Sequence, residues 1–159
     1  MNCVGNGNNT EPTFEICNNC SPCKSINKGN FLDVIEVDAA SRTGVDGIRE
    51  IIDAVMYSPN NARFKVYIID EVHMLSNAAF NALLKTLEEP PENVKFIFAT
   101  TEIKKIPATI ISRCQRFDLQ RVDIDTLRSH LSKICESENI KFEKDSLFQI
   151  CKASEGSVR

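Results

Sequence analysis

The chain has 159 residues, of which 42% are apolar and 26% are charged, and its formal net charge is −3. This length and composition indicate a globular domain with its own hydrophobic core and argue against a disordered chain. The slightly acidic balance disfavours a DNA-binding module that acts alone, because it provides no basic surface. No apolar run is long enough to cross a bilayer, and the N-terminus does not resemble a signal peptide, so a cytoplasmic protein with no membrane contact is expected.

Seven cysteines are present, and four of them lie within the first 23 residues. The odd number and the uneven distribution disfavour a secreted disulfide framework. Cys17, Cys20 and Cys23 follow one another at intervals of three residues, so their thiols can form a tight knuckle, and Cys3 offers a fourth ligand. Four thiolates are a typical tetrahedral ligand set for Zn²⁺ and leave no open position, which predicts a structural metal site. The alternative is four reduced cysteines in a disordered, Asn-rich segment.

The hydrophobic pattern predicts alternating strands and helices from Phe31 onwards. Short apolar runs indicate buried strands, and apolar residues at helical spacing indicate helices. The predicted elements are a strand over 31–37, a helix over 45–55, a strand over 66–69, a helix over 76–87, a strand over 94–99, a short helix over 107–113, a short strand at 117–119 and two helices around 124–134 and 147–151. This alternation predicts a doubly wound parallel α/β sheet, whose ligand site lies at the carboxyl ends of its strands.

Polar side chains follow two of the predicted strands. Asp70 and Glu71 come directly after four apolar strand residues, and Thr101 follows the next strand along the chain. In nucleotide hydrolysis such an aspartate holds Mg²⁺, and such a glutamate orients and deprotonates the attacking water. A hydroxyl at the next strand end is able to bond a γ-phosphate or that water. The alternatives are a solvated acidic turn and a hydroxyl that caps a turn.

The stretch Val66–Leu75, continued by Ala79–Pro91, resembles the Walker B region of the bacterial DNA polymerase III gamma/tau clamp-loader family. The likeness extends over nearly the whole chain and implies an AAA+ ATPase fold, with a P-loop-type parallel sheet, an inserted zinc module and the start of a helical lid. It makes Asp70 the magnesium residue and Glu71 the catalytic base. The order Asp70, Glu71, Val72, His73 also satisfies the DExH pattern of helicases, but no arginine-rich helicase motif follows, so His73 is expected to pack near the start of the next helix.

Three further motifs fit the same family. The resemblance makes Thr101 the sensor 1 residue. Ser112–Cys114 is similar to the clamp-loader SRC motif, which implies that Arg113 acts in the ATP site of a neighbouring subunit. Gly156–Arg159 is similar to the sensor 2 motif, in which Arg159 touches the nucleotide. For Arg113 and Arg159 taken alone, a surface ion pair and an exposed side chain at a frayed end are the simpler interpretations.

The resemblance also implies cofactors and partners. The cofactors are a structural Zn²⁺ on Cys3, Cys17, Cys20 and Cys23 and Mg-ATP in the intact family protein, although the interval from Cys3 to Cys17 is longer than in the family. The partners are other clamp-loader subunits and further copies of the chain in a ring, together with the sliding clamp and primed DNA. The expected function is ATP-driven loading of that clamp during replication, within the DNA polymerase III assembly.

No part of the sequence matches G-x-x-x-x-G-K-[ST], the loop that cradles phosphates. The expected organisation is therefore a zinc module over 1–28, an AAA+ core over 29–120 that lacks its first strand and phosphate loop, and the start of a lid over 121–159. Such an internal piece is expected to hydrolyse no ATP alone. The alternative function is a catalytically silent, zinc-bearing interaction module that no longer binds ATP.

Overall fold

Three parallel strands form the sheet, in the spatial order β1–β2–β3. The computed structural model describes residues 1–5, 11–41 and 45–158, and they form two compact units, Met1–Gln115 and Arg116–Arg159. The strands are β1 (Val34–Asp38), β2 (Lys65–Asp70) and β3 (Val94–Phe98). In register, Asp38 lies beside Asp70 and Ile69 lies beside Phe98, so all three strands end at one edge. The predicted parallel α/β sheet is confirmed for these strands.

The central strand β2 and two amphipathic helices form the core of the first unit. Tyr67 and Ile69 of β2 are fully buried. The helices are α2 (Val45–Val55) and α3 (Asn77–Glu88), which pack against each other and bury the residues that share one face of each, namely Ile48, Ile51, Val55, Ala79, Phe80 and Leu83. Ser76 caps α3 by accepting a hydrogen bond from the N–H of Ala79 at 3.2 Å. The spacing of apolar residues therefore located both helices correctly.

The first unit also contains two shorter helices. Helix α1 (Ser21–Asn27) was not predicted, because its segment has too few apolar residues to show a helical pattern. Helix α4 (Ala108–Ile111) confirms the short helix expected after Pro107 and buries Ile110. Single turns of 3-10 helix occupy Val72–Met74 and Ile103–Lys105.

Two strand predictions need correction. Strand β1 begins at Val34 rather than Phe31, because the N–H of Val34 donates to the carbonyl of Phe31 at 3.0 Å and closes a turn. The strand expected at 117–119 is not formed in the described part of the chain, and Phe117 and Leu119 are 74% and 96% exposed. A strand needs a neighbour for its backbone hydrogen bonds, and the second unit, as far as it is described, contains helices and no strand.

The second unit is a helical pair, α5 (Ile124–Ser137) and α6 (Lys144–Ala153), joined through buried apolar residues. Asp123 caps α5 by accepting bonds from the N–H and hydroxyl of Thr126, at 2.9 and 2.6 Å, and these bonds lower the pKa of Asp123. Gly156 has φ +81°, and a Cβ placed there would lie 2.8 Å from the carbonyl oxygen of Val122. A glycine is therefore required at this turn. No helix in the described ranges is long and apolar enough to span a membrane.

Replacement of Asp33 by asparagine is expected to lower the free energy of unfolding by about 2–4 kcal/mol. Asp33 is 1% exposed, and its two carboxylate oxygens accept the N–H groups of Asn60 and Asn61 at 2.8 and 2.9 Å. An asparagine would turn an NH₂ group toward one of these donors. Urea unfolding followed by circular dichroism measures the change. Asp46→Asn is the matched control, because the Asp46 side chain is 93% exposed, and equal midpoints for the two variants would contradict the prediction.

Candidate nucleotide and metal sites

Asp70 and Glu71 stand at the carboxyl edge of the central strand. Asp70 is the last residue of β2, and its Oδ1 accepts the N–H of Glu71 at 2.9 Å. Glu71 has φ 47° and ψ 42°, a left-handed conformation that is unfavourable for a glutamate. The chain turns at this residue, and the two adjacent carboxylates have different partners: Asp70 accepts the N–H of Glu71, whereas Glu71 is approached by the hydroxyl of Thr101. Strained residues of this kind concentrate at functional sites.

Thr101 joins the two carboxylates from the neighbouring strand. Its hydroxyl lies 3.5 Å from Oε2 of Glu71 and is oriented to donate to it. The N–H of Val72 donates to the carbonyl of Ala99 at 3.0 Å, which holds the segments after β2 and β3 together. The structure thus brings together Asp70, Glu71 and Thr101, the three residues predicted at strand ends.

His73 belongs to the same cluster, although the sequence predicts only that it packs near a helix start. Its side chain is 7% exposed, with Nδ1 2.9 Å from the hydroxyl of Thr100 and 3.3 Å from Oε2 of Glu71. Its Nε2 lies 3.4 Å from Oε1 of Glu102. The pKa of Glu102 is lowered, first by its hydrogen bond from Lys105 and to a smaller extent by the nearby His73 ring. The DExH pattern was the sequence signal for His73. The 3-10 turn over Val72–Met74 follows Glu71 directly, so the ring of His73 lies beside the side chain of Glu71.

Among the described residues, Arg113 is not bonded to this cluster. Arg113 follows α4, where its guanidinium forms an ion pair with Glu88 of α3 and donates to the carbonyl of Thr109 at 2.7 Å. Within the described ranges no hydrogen bond or ion pair joins Arg113 to Asp70 or Glu71. This placement fits a residue that does not serve its own subunit's strand edge. Arg159 lies outside the described residues.

The four N-terminal cysteines converge. The Sγ atoms of Cys3, Cys17, Cys20 and Cys23 all lie within 4.8 Å of one another. Tetrahedral Zn²⁺ bound at about 2.3 Å by sulfur requires sulfur atoms about 3.8 Å apart, so the cluster fits the ion with only a small contraction. Cys20 precedes α1 as its N-cap residue, and Cys23 lies in its first turn.

Backbone N–H groups point at the sulfurs of this cluster. The N–H of Cys17 donates to Sγ of Cys3 at 3.4 Å, and the N–H of Cys20 donates to Sγ of Cys17 at 3.3 Å. Hydrogen bonds from the backbone of Cys23 and Val4 lower the pKa of Cys20 to about 6, whereas burial is the main cause that raises the pKa of Cys23 to about 12. N–H donors of this kind stabilise thiolates, which are the form of cysteine that binds metal.

Two family models match the chain. The model described as DNA polymerase III, delta subunit, matches residues 2–123, and the model described as DNA polymerase III clamp loader subunit, ATPase lid domain, matches residues 126–159. The first model alone covers the cysteine cluster, the whole sheet and Arg113. The second covers both helices of the second unit.

Similar proteins carry related names. The chain is 54% identical over its full length to DNA polymerase III subunit tau/gamma of Haemophilus influenzae, of which it covers 22%. It is 55% identical over 93% of its length to DNA polymerase III subunit tau of Bacillus subtilis, of which it covers 26%. The chain thus spans about a fifth to a quarter of these relatives.

Solved structures support the fold. A DNA polymerase III gamma subunit-related protein of Thermotoga maritima matches 74% of this chain and 42% of its own, with a TM-score of 0.56 and 28% identity. The RuvB Holliday junction branch migration motor of the same organism matches 78% of this chain and 41% of its own, with a TM-score of 0.64 and 17% identity, which shows a shared fold alone. The expected AAA+ type of sheet agrees with these matches, and the expected lid helices agree with the lid-domain family model. The chain belongs to the DNA polymerase III family of clamp-loader subunits, and its relatives are the tau and gamma subunits.

Proposed function

We propose that this chain forms part of the ATPase motor of a clamp-loader subunit, which uses ATP binding and hydrolysis to place a sliding clamp on primed DNA during replication. The observation that carries the proposal is the contact between the hydroxyl of Thr101 and the carboxylate of Glu71, beside Asp70 at the carboxyl edge of β2. Ligand sites of parallel α/β sheets lie at this edge. The family model that matches residues 2–123 includes all three residues, and ATP hydrolysis is the reaction proposed for them.

Each residue has a distinct task in this proposal. Asp70 holds the magnesium ion of Mg-ATP, which supplies charge neutralisation on the phosphates. Glu71 would accept a proton from the attacking water, and the hydroxyl of Thr101 lies 3.5 Å from its carboxylate. The hydroxyl of Thr101 holds Glu71 and the water in line. Arg159 is proposed to touch the nucleotide from the lid.

The four cysteines are proposed to hold a structural Zn²⁺ ion. The support is the convergence of four sulfurs and the N–H groups directed at them. The zinc module over 1–28, the AAA+ core over 29–120 and the lid segment over 121–159 remain the proposed domains. The proposed partners are other clamp-loader subunits and copies of this chain in a ring, the sliding clamp and primed DNA, in the cytoplasm.

Replacement of Glu71 by glutamine is expected to lower ATP turnover by about 100-fold or more, because it removes the proton acceptor and keeps the shape. No G-x-x-x-x-G-K-[ST] sequence occurs in these 159 residues, so the test uses a longer host. A chimera carries this chain in place of the matching region of the H. influenzae tau/gamma protein, to which it is 54% identical. Steady-state phosphate release is measured with DNA and partner subunits present.

Two controls make the result specific. Glu50→Gln changes an exposed glutamate of α2 and should leave turnover unchanged. Binding of a fluorescent ATP analogue should survive in the Glu71→Gln chimera, because binding does not need the base. Turnover that persists in Glu71→Gln would exclude the proposed catalytic role. A chimera that binds zinc but no nucleotide would favour the zinc-bearing interaction module.

A further inference from the structure

A half-buried arginine, Arg63, adjoins the cysteine cluster. Nη2 of Arg63 donates a hydrogen bond to the backbone carbonyl of Cys3. Nε and Nη1 of Arg63 are also buried, and neither has a hydrogen-bond partner among the described residues. A buried guanidinium with unpaired N–H groups is costly, because it loses its hydration and gains nothing in return. The N–H groups on these two nitrogen atoms would be stabilised by a negatively charged group close by.

A second contact holds the same segment in place. Nδ2 of Asn2 donates to the carbonyl of Phe64 at 2.8 Å, and the N–H of Phe64 donates back to Oδ1 at 3.0 Å. Asn2 is 5% exposed. Residues 2–3 are thus fixed to residues 63–64, which lead directly into β2. Cys3 is therefore held in the cluster by contacts with the segment that precedes β2, although 14 residues separate it from Cys17.

A cluster of one Zn²⁺ ion and four thiolates has a net negative charge, which the surrounding protein must stabilise. The lysines close to the cluster in sequence, Lys24 and Lys28, are exposed, so water screens their charge. Arg63 is less exposed than these lysines, its Nε and Nη1 atoms are buried, and its guanidinium bonds the carbonyl of Cys3, which supplies one of the four sulfurs. A planar guanidinium is able to bond the Cys3 carbonyl and face the thiolates at the same time.

We propose that Arg63 is a positioning residue of the metal site, which holds Cys3 in place as the fourth ligand and offsets the negative charge of the metal–thiolate cluster. This inference rests on the proposed zinc site. Arg63 lies two residues before β2, the strand that ends at Asp70. Its hydrogen bond to Cys3 therefore connects the proposed metal site to the start of that strand.

The test uses the 159-residue chain and measures Zn²⁺ affinity by competition with a chromophoric chelator. Arg63→Gln is expected to weaken the affinity by about 10–100-fold, the usual effect of losing an outer-shell partner. Lys24→Gln removes the same charge from an exposed position and is expected to change the affinity by less than about threefold. The absorption spectrum of the Co²⁺-substituted protein reports the ligand set. For Arg63→Gln this spectrum should move from that of four thiolates toward that of the Cys3→Ser variant.

Zinc affinity and a cobalt spectrum unchanged in Arg63→Gln would overturn the inference. A wild-type chain that binds no zinc would instead overturn the proposed metal site, so the two failures are distinguishable. If circular dichroism shows that Arg63→Gln does not fold, Arg63→Lys decides the question. Lysine keeps the positive charge but lacks the planar guanidinium with its several N–H donors. Wild-type zinc affinity together with a four-thiolate cobalt spectrum in Arg63→Lys would contradict the positioning role.

Discussion

Removal of the proposed zinc ion is expected to unfold the described residues of the 1–28 segment while the sheet remains intact. This segment has little else to order it, because Phe14 and Ile16 are 96% and 60% exposed and bury little apolar surface. The residues that it does bury include Cys3 and Cys23, two of the proposed ligands. In zinc-finger peptides the metal contributes an apparent folding free energy of about 10–16 kcal/mol at neutral pH, far more than any single contact. The order of the module should therefore follow metal occupancy.

Elemental analysis should find one zinc per chain, and hydrogen exchange should show protection of α1 (Ser21–Asn27) that is lost after chelation. Protection of β2 should change much less, because Tyr67 and Ile69 are buried by the helices rather than by the module. Cys20→Ala should abolish zinc binding. Cys135→Ser, which alters a cysteine of α5 in the second unit, should retain it. A chain that keeps α1 protected after complete metal removal would contradict the prediction.

The sequence predicts those parts of the fold that depend on local pattern. Helix α2 occupies the predicted residues 45–55, because apolar residues recur there at helical spacing. The prediction of a strand at 117–119 was wrong, because a strand requires a hydrogen-bonded partner strand and local pattern does not show whether one is present. Asp33 shows the same limit. Its carboxylate accepts two N–H groups 27 and 28 residues away, and it lies just before β1, which begins three residues later than predicted.

The candidate sites show the same difference between features set by local sequence pattern and features set by contacts between distant residues. Asp70, Glu71 and Thr101 were predictable, because parallel strands end at a common edge and the residues after them meet there. Arg63 was not, because its contact with Cys3 joins residues 60 positions apart and leaves no periodic signal. His73 carried a motif signal, but its contacts with Thr100 and Glu102 depend on the pairing of two strand ends.

Arg113→Ala is expected to lower ATP turnover in the assembled chimera by about 10³-fold, because an arginine supplied from a neighbour stabilises charge on the transferred phosphate. In the structure the guanidinium is exposed by 33% and pairs with Glu88 of the same chain. The guanidinium of Arg113 is therefore partly accessible to a neighbouring subunit and is not bonded to Asp70 or Glu71 of its own chain. Arg128→Ala is the matched control, because Arg128 forms only an exposed pair with Asp125, and it should keep full turnover.

Mixing two inactive chimeras distinguishes action in a neighbour's site from a structural role. Arg113→Ala keeps Glu71, and Glu71→Gln keeps Arg113, so a ring that contains both variants has some interfaces at which Glu71 and Arg113 are both intact. Turnover should therefore rise well above that of either variant alone, and the gain should vanish when assembly is prevented by dilution. If the mixture stays as inactive as its components although mixed rings form, Arg113 does not act across the interface and its pairing with Glu88 is structural.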